Sequence, residues 1–129
     1  MSPKIKILYV EDEPDIRMVA EFALEGEDFE LLPCASGLEA LEKAMAFQPD
    51  LLLLDVMMPG MDGPTTLAQL REQPNTSQTP VIFMTAKVQP REVAEYRAMG
   101  AIGVITKPFD AMGLAEEILG LLKEAAHGG

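Results

Sequence analysis

The sequence is short of cysteine, of basic residues and of long apolar runs. Its 129 residues include a single cysteine, Cys34, and no tryptophan. A lone cysteine excludes an internal disulfide and a cysteine-built metal cage, and we expect Cys34 to be a buried thiol. Ten Lys and Arg residues stand against 21 Asp and Glu residues, which gives a net charge of −11. Such an acidic chain repels a phosphate backbone, so we expect no direct binding to nucleic acid.

The chain also lacks any segment that predicts membrane attachment. Its longest stretch without a charged residue, residues 73–86, is too short and too polar to cross a bilayer. The apolar part of the first residues stops at Glu11, before any cleavage-like site. We therefore expect a cytoplasmic protein. Its ordinary composition, 48% hydrophobic and 24% charged, predicts one globular domain. We expect this domain to cover residues 1–125 and to be followed by a short tail over residues 126–129 with a surface His127. We expect no output domain.

Short apolar runs alternate with longer stretches of helical periodicity. The apolar runs are residues 5–10, 29–34, 51–54, 81–84 and 101–105. The first helical stretch places Ile16, Val19, Ala20, Ala23 and Leu24 on one stripe, and the last does so with Leu114, Ile118, Leu121 and Leu122. The expected starts of the five helices are Pro14, Ser36–Gly37, Asp62–Gly63–Pro64, Pro90 and Asp110, and Gly100 is expected to end the fourth helix.

This alternation predicts the fold class. Strands that are apolar throughout must be covered on both faces, which requires a parallel sheet between two layers of helices. The sequence therefore predicts a doubly wound α/β domain with five strands and five helices.

Polar residues follow the predicted strands at the end where a parallel sheet collects them. Glu11 and Asp12 follow the first strand, Asp55 the third, Thr85 the fourth and Lys107 the fifth. Three neighbouring carboxylates need neutralising, because two unit charges about 4 Å apart repel by roughly 4 kcal/mol at an effective dielectric of about 20. Either some are protonated, or a hard divalent cation lies among them; Mg²⁺ suits such oxygen ligands, and Mn²⁺ could substitute.

The remaining residues suit phosphoryl chemistry. An ionised carboxylate such as Asp55 can attack phosphorus, and Lys107 and Thr85 could bind phosphoryl oxygens. Taken singly, each residue also has a structural interpretation: Asp12 could cap the first helix, and Asp55 could be a turn residue. Their convergence on one edge of the sheet favours phosphoryl transfer to an aspartate.

Four motifs at these residues, in this order and spacing, resemble the receiver domain of two-component response regulators over almost the whole chain. They are "ILYVEDEP", "DLLLLDVMMPGMDG", "PVIFMTA" and "GAIGVITKPF". The resemblance implies the flavodoxin-like strand order 2-1-3-4-5 of the chemotaxis receiver. It also implies that Asp55 accepts a phosphoryl group from a phosphohistidine on a histidine kinase or a histidine phosphotransfer protein.

The resemblance implies a role for each matching position. The implied Mg²⁺ ligands are Glu11, Asp12, Asp55 and the main-chain carbonyl of Met57. The implied phosphoryl-binding residues are Thr85 and Lys107, and the Lys107–Pro108 peptide bond is expected to be cis. The side chains that modulate dephosphorylation in this family correspond to Met57 and Lys87. The implied contact face for a downstream target comprises the fourth helix, the fifth strand and the fifth helix.

One position departs from the family pattern. Receivers usually carry Tyr or Phe three residues before the lysine, and here that residue is Val104. Valine is too short to alternate between exposed and buried ring positions, so we expect switching to depend on Thr85, residues 86–89 and the fourth helix. Neither Met57 nor Lys87 is an acid or amide able to orient a water molecule, which predicts a long-lived phosphoryl group.

Other functions stay open at this stage. A phosphohydrolase of the haloacid dehalogenase type needs a second acid two residues after its nucleophile, where this chain has Met57. A flavodoxin-like cofactor binder needs a hydroxyl- and glycine-rich loop where this chain has "EDEPD". A pseudo-receiver would not need the acidic set. We expect a phosphoacceptor rather than an enzyme, either free-standing or part of a larger regulator or hybrid kinase.

Overall fold

The computed structural model describes residues 3–127 of the chain. A five-stranded parallel sheet in the order β2-β1-β3-β4-β5 forms its centre. The strands are β1 (Ile5–Val10), β2 (Phe29–Cys34), β3 (Leu51–Asp55), β4 (Val81–Thr85) and β5 (Ala101–Thr106). The helices are α1 (Pro14–Ala23), α2 (Gly37–Phe47), α3 (Gly63–Leu70), α4 (Pro90–Ala98) and α5 (Leu114–His127), with a 3₁₀ turn at Pro74–Thr76. The predicted doubly wound fold and strand order are confirmed.

Two apolar clusters cover the two faces of the sheet. One packs α2, α3 and α4 against the sheet, and the other packs α1 and α5. The leucines of β3 alternate between them, with Leu52 and Leu54 in the first cluster and Leu51 and Leu53 in the second. All four are fully buried because helices cover both faces. The run that precedes Asp55 is therefore the dry centre of the domain.

Three strands extend one residue beyond the predicted apolar runs and so end on Asp55, Thr85 and Thr106. The sheet hydrogen bonds explain the difference. The Val56 N–H donates to the Met84 carbonyl at 3.0 Å, and the Lys107 N–H donates to the Thr85 carbonyl at 3.0 Å. The polar residues at these strand ends are consequently fixed by backbone pairing rather than carried on loose turns.

Side-chain caps define the starts of two helices. The Ser36 hydroxyl accepts the Glu39 N–H at 3.1 Å and caps α2, while the Glu39 carboxylate accepts the N–H of Ala35, the residue before the cap, at 2.7 Å. Asp62 accepts the Thr65 N–H at 2.8 Å and caps α3. These sequence predictions are confirmed.

Helix ends agree less uniformly with the sequence. Gly100 follows α4 with a φ of +101°, a left-handed conformation that suits a glycine after a helix. Asp110, in contrast, does not cap α5, because it accepts the Met112 N–H in a turn that precedes the helix start at Leu114. Val19 lies on the predicted buried stripe of α1 but is 46% exposed, and Ala20 is the residue of this helix that is fully buried.

The C-terminal helix reaches further than the sequence predicts. Because α5 extends to His127, the first two residues of the predicted tail are helical, and residues 128–129 lie outside the described part of the chain. Cys34 is buried and unbridged, as expected. Between residues 3 and 127, each helix is too short or insufficiently apolar to cross a membrane.

Two glycines give opposite predictions for stability. A Cβ at Gly63 would lie 2.5 Å from the Asp55 carbonyl oxygen, whereas a Cβ at Gly120, exposed within α5, meets nothing within 4 Å. We expect Gly63→Ala to lower the free energy of unfolding by about 1–3 kcal/mol through overpacking. Gly120→Ala should raise it by about 0.5–1 kcal/mol, because alanine favours the helix. Urea denaturation of both variants measures the contrast, and a neutral Gly63→Ala would contradict the close approach behind Asp55.

Candidate functional site

Three carboxylates converge at the carboxyl edge of the sheet. Glu11 and Asp12 follow β1, Asp55 ends β3, and each offers one oxygen such that all lie within 4.8 Å of one another. Asp55 is 3% exposed and Glu11 is fully buried, while Asp12 is half-buried. The predicted acidic cluster therefore forms, and most of it is shielded from bulk water.

Lys107 joins this cluster from the end of β5. Its ammonium donates to Glu11 Oε1 at 2.9 Å and lies 3.2 Å from Asp55 Oδ1. The side chain has three donors, and these two carboxylates occupy two of them. The following peptide bond, Lys107–Pro108, is cis, in agreement with the resemblance.

The charges within the cluster do not balance. Burial raises the pKa of Asp55, and this effect exceeds the opposing influence of the Lys107 ammonium and a hydrogen bond with Glu11. Burial also raises the pKa of Glu11, against the hydrogen bond from Lys107. For Lys107, burial disfavours the ammonium, but the contacts with Glu11 and Asp55 outweigh it and raise the pKa. One cation thus serves three carboxylates, and the cluster has an excess of negative charge.

Thr85 ends β4 next to this cluster in the sheet order and is buried. Its hydroxyl accepts the Lys87 N–H at 3.0 Å, which ties the start of the β4–α4 loop to the strand end. In this structure the hydroxyl oxygen is bonded to that loop. Its proton remains free for another acceptor, since a hydroxyl both donates and accepts.

The other predicted site residues have different surroundings. Met57 is 63% exposed, and Lys87 is exposed at the beginning of the β4–α4 loop. Val104 is half-buried and packs against the apolar cluster that also contains Tyr96 of α4. Whether the Met57 carbonyl binds a metal stays a prediction.

Two contributions to the site escaped sequence reasoning. Arg17, on α1, donates from its guanidinium to the Glu11 carbonyl at 2.8 Å and so holds the β1–α1 junction. Gly63 lies directly behind Asp55, and its N–H donates to the Val56 carbonyl at 2.9 Å. The sequence predicted a turn at Gly63, but it could not show that Gly63 packs against Asp55. It also could not show which carbonyl group the Arg17 guanidinium would contact.

The geometry of this site does not support a phosphohydrolase or a flavodoxin-like cofactor binder. A second acid for a phosphohydrolase would have to stand at Met57, whose side chain is apolar and largely exposed. The β1–α1 loop brings carboxylates to the sheet edge, where a flavin phosphate would need neutral or positive donors. The site combines a buried carboxylate, a nearby ammonium and two further acids, which suits a bound cation and a phosphoryl group.

Solved structures share this architecture. The chain superposes on the chemotaxis protein CheY4 of Vibrio cholerae with a TM-score of 0.84 and 31% sequence identity, covering 92% of this chain and 98% of that one. This identity and coverage extend the similarity beyond fold to sequence.

Sequence relatives agree with the structural ones. The chain is 36% identical over its full length to the transcriptional regulatory protein CseB of Streptomyces coelicolor, covering 54% of that protein. It is 35% identical to the phosphate regulon transcriptional regulatory protein PhoB of Rhizobium meliloti, covering 97% of this chain and 54% of that one. The chain thus spans about half the length of these curated relatives. The sequence model of the response regulator receiver domain matches residues 7–119, and the chain therefore belongs to the family of response regulator receiver domains.

Proposed function

We propose that Asp55 is the phosphoacceptor of a two-component phosphorelay. The observation that carries this proposal is the contact between its buried carboxylate and the Lys107 ammonium, 3.2 Å away, at the same sheet edge as Glu11 and Asp12. A carboxylate in this position has an electrostatic partner for a phosphoryl group already beside it. Membership of the receiver family supports the same assignment.

We assign the excess negative charge of the cluster to a divalent cation site. Mg²⁺, with Mn²⁺ as a substitute, fits oxygen donors from Glu11, Asp12 and Asp55, together with the main-chain carbonyl of Met57. The raised pKa values of Asp55 and Glu11 support this fit, because a cation would favour their ionised forms. A bound Mg²⁺ would neutralise charge that develops on the transferred phosphoryl group.

The transfer itself requires little from the protein beyond position and charge. An Asp55 carboxylate oxygen forms the new bond to phosphorus as the bond from phosphorus to the donor's histidine nitrogen breaks, and the electron pair remains on the imidazole. Lys107 donates to a phosphoryl oxygen with the N–H that its two carboxylate partners leave free. The Thr85 hydroxyl donates to another such oxygen. No general base is needed once Asp55 is ionised.

Partners follow from the same proposal. The donor is a histidine kinase or histidine phosphotransfer protein, and the target binds the face formed by α4, β5 and α5. CseB and PhoB are transcriptional regulators by name, and nothing in the acidic composition of this chain suits direct contact with nucleic acid. We place the protein in the cytoplasm, as a phosphoacceptor rather than an enzyme with a separate substrate.

Acetyl phosphate with Mg²⁺ tests the acceptor by intact mass. We expect one phosphoryl adduct on the wild type and none on Asp55→Asn, because the nucleophilic oxygen is lost. Asp28→Asn, a matched change at an exposed aspartate, should keep the adduct. An adduct that survives Asp55→Asn, or no adduct on the wild type, would contradict the assignment.

Stability without metal tests the charge imbalance. Since folding raises the pKa of Asp55, its ionised form destabilises the fold, and this cost appears as pH rises through the raised pKa. In EDTA at neutral pH, Asp55→Asn should therefore be more stable than wild type. The difference should vanish at acidic pH, where Asp55 is protonated. Added Mg²⁺ should raise the Tm of the wild type more than that of the variant.

Glu116→Gln, a change in an exposed acid on α5, controls for general charge removal in that comparison. It should leave both the pH dependence and the Mg²⁺ response unchanged. If the wild type instead gained stability relative to Asp55→Asn as the pH rose, ionised Asp55 would not destabilise the fold.

The lifetime of the phosphoryl group tests the predicted roles of Met57 and Lys87. Because neither side chain can orient an attacking water, the aspartyl phosphate should last minutes or longer once donor is removed. Met57→Asn should shorten this lifetime several-fold by supplying an amide, whereas Met45→Asn, at a similarly exposed methionine on α2, should not. A wild-type half-time of seconds, followed by phosphate release, would show that another group activates water.

A further inference from the structure

Helix α4 is attached to the sheet by a single buried side chain. Tyr96 is the one buried residue of this helix, whereas α3 buries Gly63, Thr66, Leu67 and Leu70. The rest of α4 is exposed or half-buried, and residues 86–89 before it are all exposed. The position of α4 therefore depends on where the Tyr96 ring lies.

The Tyr96 ring packs in the apolar cluster that includes Val104, the residue at which this chain lacks the aromatic of the family pattern. Its centroid lies 5.4 Å from that of Phe83, with the two planes inclined by 48°. Phe83 on β4 is the register partner of Val104 on β5, and Val104 packs against the cluster that contains both rings. An aromatic side chain from α4 thus contacts Phe83, the register partner of Val104, and belongs to the same apolar cluster as Val104.

A short path joins this ring to the phosphoacceptor. Thr85 is two residues beyond Phe83 on the same strand, and its hydroxyl accepts the Lys87 N–H of the loop that leads into α4. Rotation of Thr85 towards a phosphoryl group on Asp55 would stretch or break that bond. The loop would then be released at one end, and the Tyr96 contact would be the main tie that holds α4.

We propose that Tyr96 is the positioning residue of the switch: its docked ring holds α4 in the unphosphorylated arrangement, and the ring is released when Thr85 engages a phosphoryl group. This inference rests on the proposed phosphoacceptor role of Asp55. In this proposal the moving aromatic side chain belongs to α4, because Val104 on β5 cannot provide one. Docking of the Tyr96 ring then disfavours phosphoryl binding, and phosphoryl binding disfavours docking of the ring.

Linkage fixes the direction of the mutational effect. If phosphorylation undocks the ring, weakening the docked state makes phosphoryl binding more favourable. Tyr96→Ala should therefore bind beryllium trifluoride, a phosphoryl mimic, with Mg²⁺ about two- to tenfold more tightly than wild type, the range that corresponds to one aromatic pair. Tyr96→Phe keeps the ring and should match the wild type.

Phe47→Ala controls for general destabilisation. Phe47 lies on α2 and packs against the same cluster away from α4, so its loss should lower stability without changing the affinity for the mimic. Titration at saturating Mg²⁺, followed by amide NMR signals near Asp55, gives the affinities. Should Tyr96→Ala not fold, Tyr96→Leu replaces it with the same expected direction.

Exposure of the ring gives a readout that leaves Tyr96 itself unchanged. The chain has two tyrosines and no tryptophan, so Tyr9→Phe makes Tyr96 the sole tyrosine fluorophore. The Tyr9 hydroxyl is buried without a hydrogen-bond partner in the described structure, so its removal should be tolerated. Acrylamide quenching of Tyr96, which is 7% exposed, should increase several-fold when the mimic and Mg²⁺ are added.

The outcomes separate this inference from the proposed function. A wild type that does not bind the mimic would refute the phosphoacceptor role. Normal binding with unchanged or weakened affinity in Tyr96→Ala, or with quenching that does not respond to the mimic, would overturn the role of Tyr96 alone.

Discussion

The structure depends on one ammonium group shared between two buried carboxylates. Lys107 reaches Glu11 and Asp55 from a strand at the far edge of the sheet, so the contact exists only when β1, β3 and β5 are all in register. It holds together charges that would otherwise repel, yet one cation does not neutralise the cluster. The fold therefore maintains, at a cost in stability, an acidic cluster that could bind a further cation.

The two sides of Asp55 differ in how firmly they are built. Behind it, Gly63 packs against its backbone, Asp62 caps α3, and the Val56 carbonyl accepts the Gly63 N–H. On the β4 side, an exposed loop leads to α4, which one ring attaches to the sheet. Rigid support on one side keeps the proposed phosphoacceptor in place, while weak attachment on the other would allow α4 to move at low energetic cost.

Sequence patterns predicted the features that depend on residues close together in the chain. Apolar runs placed the strands, Ser36 and Asp62 marked helix starts, and the order of the strand ends brought Asp55 and Lys107 to one edge. The contact between Lys107 and Glu11 spans 96 positions, so only the folded register could show which carboxylate the ammonium would meet. The burial of Tyr96 was equally hidden, because a single aromatic in a polar helix has no periodic pattern to mark it.

Borohydride reduction of the phosphorylated protein identifies the residue that carries the phosphoryl group. Borohydride converts an aspartyl phosphate to homoserine, and peptide mass spectrometry then locates the changed residue. After treatment with acetyl phosphate and Mg²⁺, we expect homoserine at position 55 and reduction of no other acid, and we expect no homoserine when EDTA replaces Mg²⁺. A phosphorylated Asp12 would instead give homoserine at position 12, and a phosphorylated Glu11 would give 2-amino-5-hydroxyvaleric acid. Either product, or no reduced residue, would contradict the assignment to Asp55.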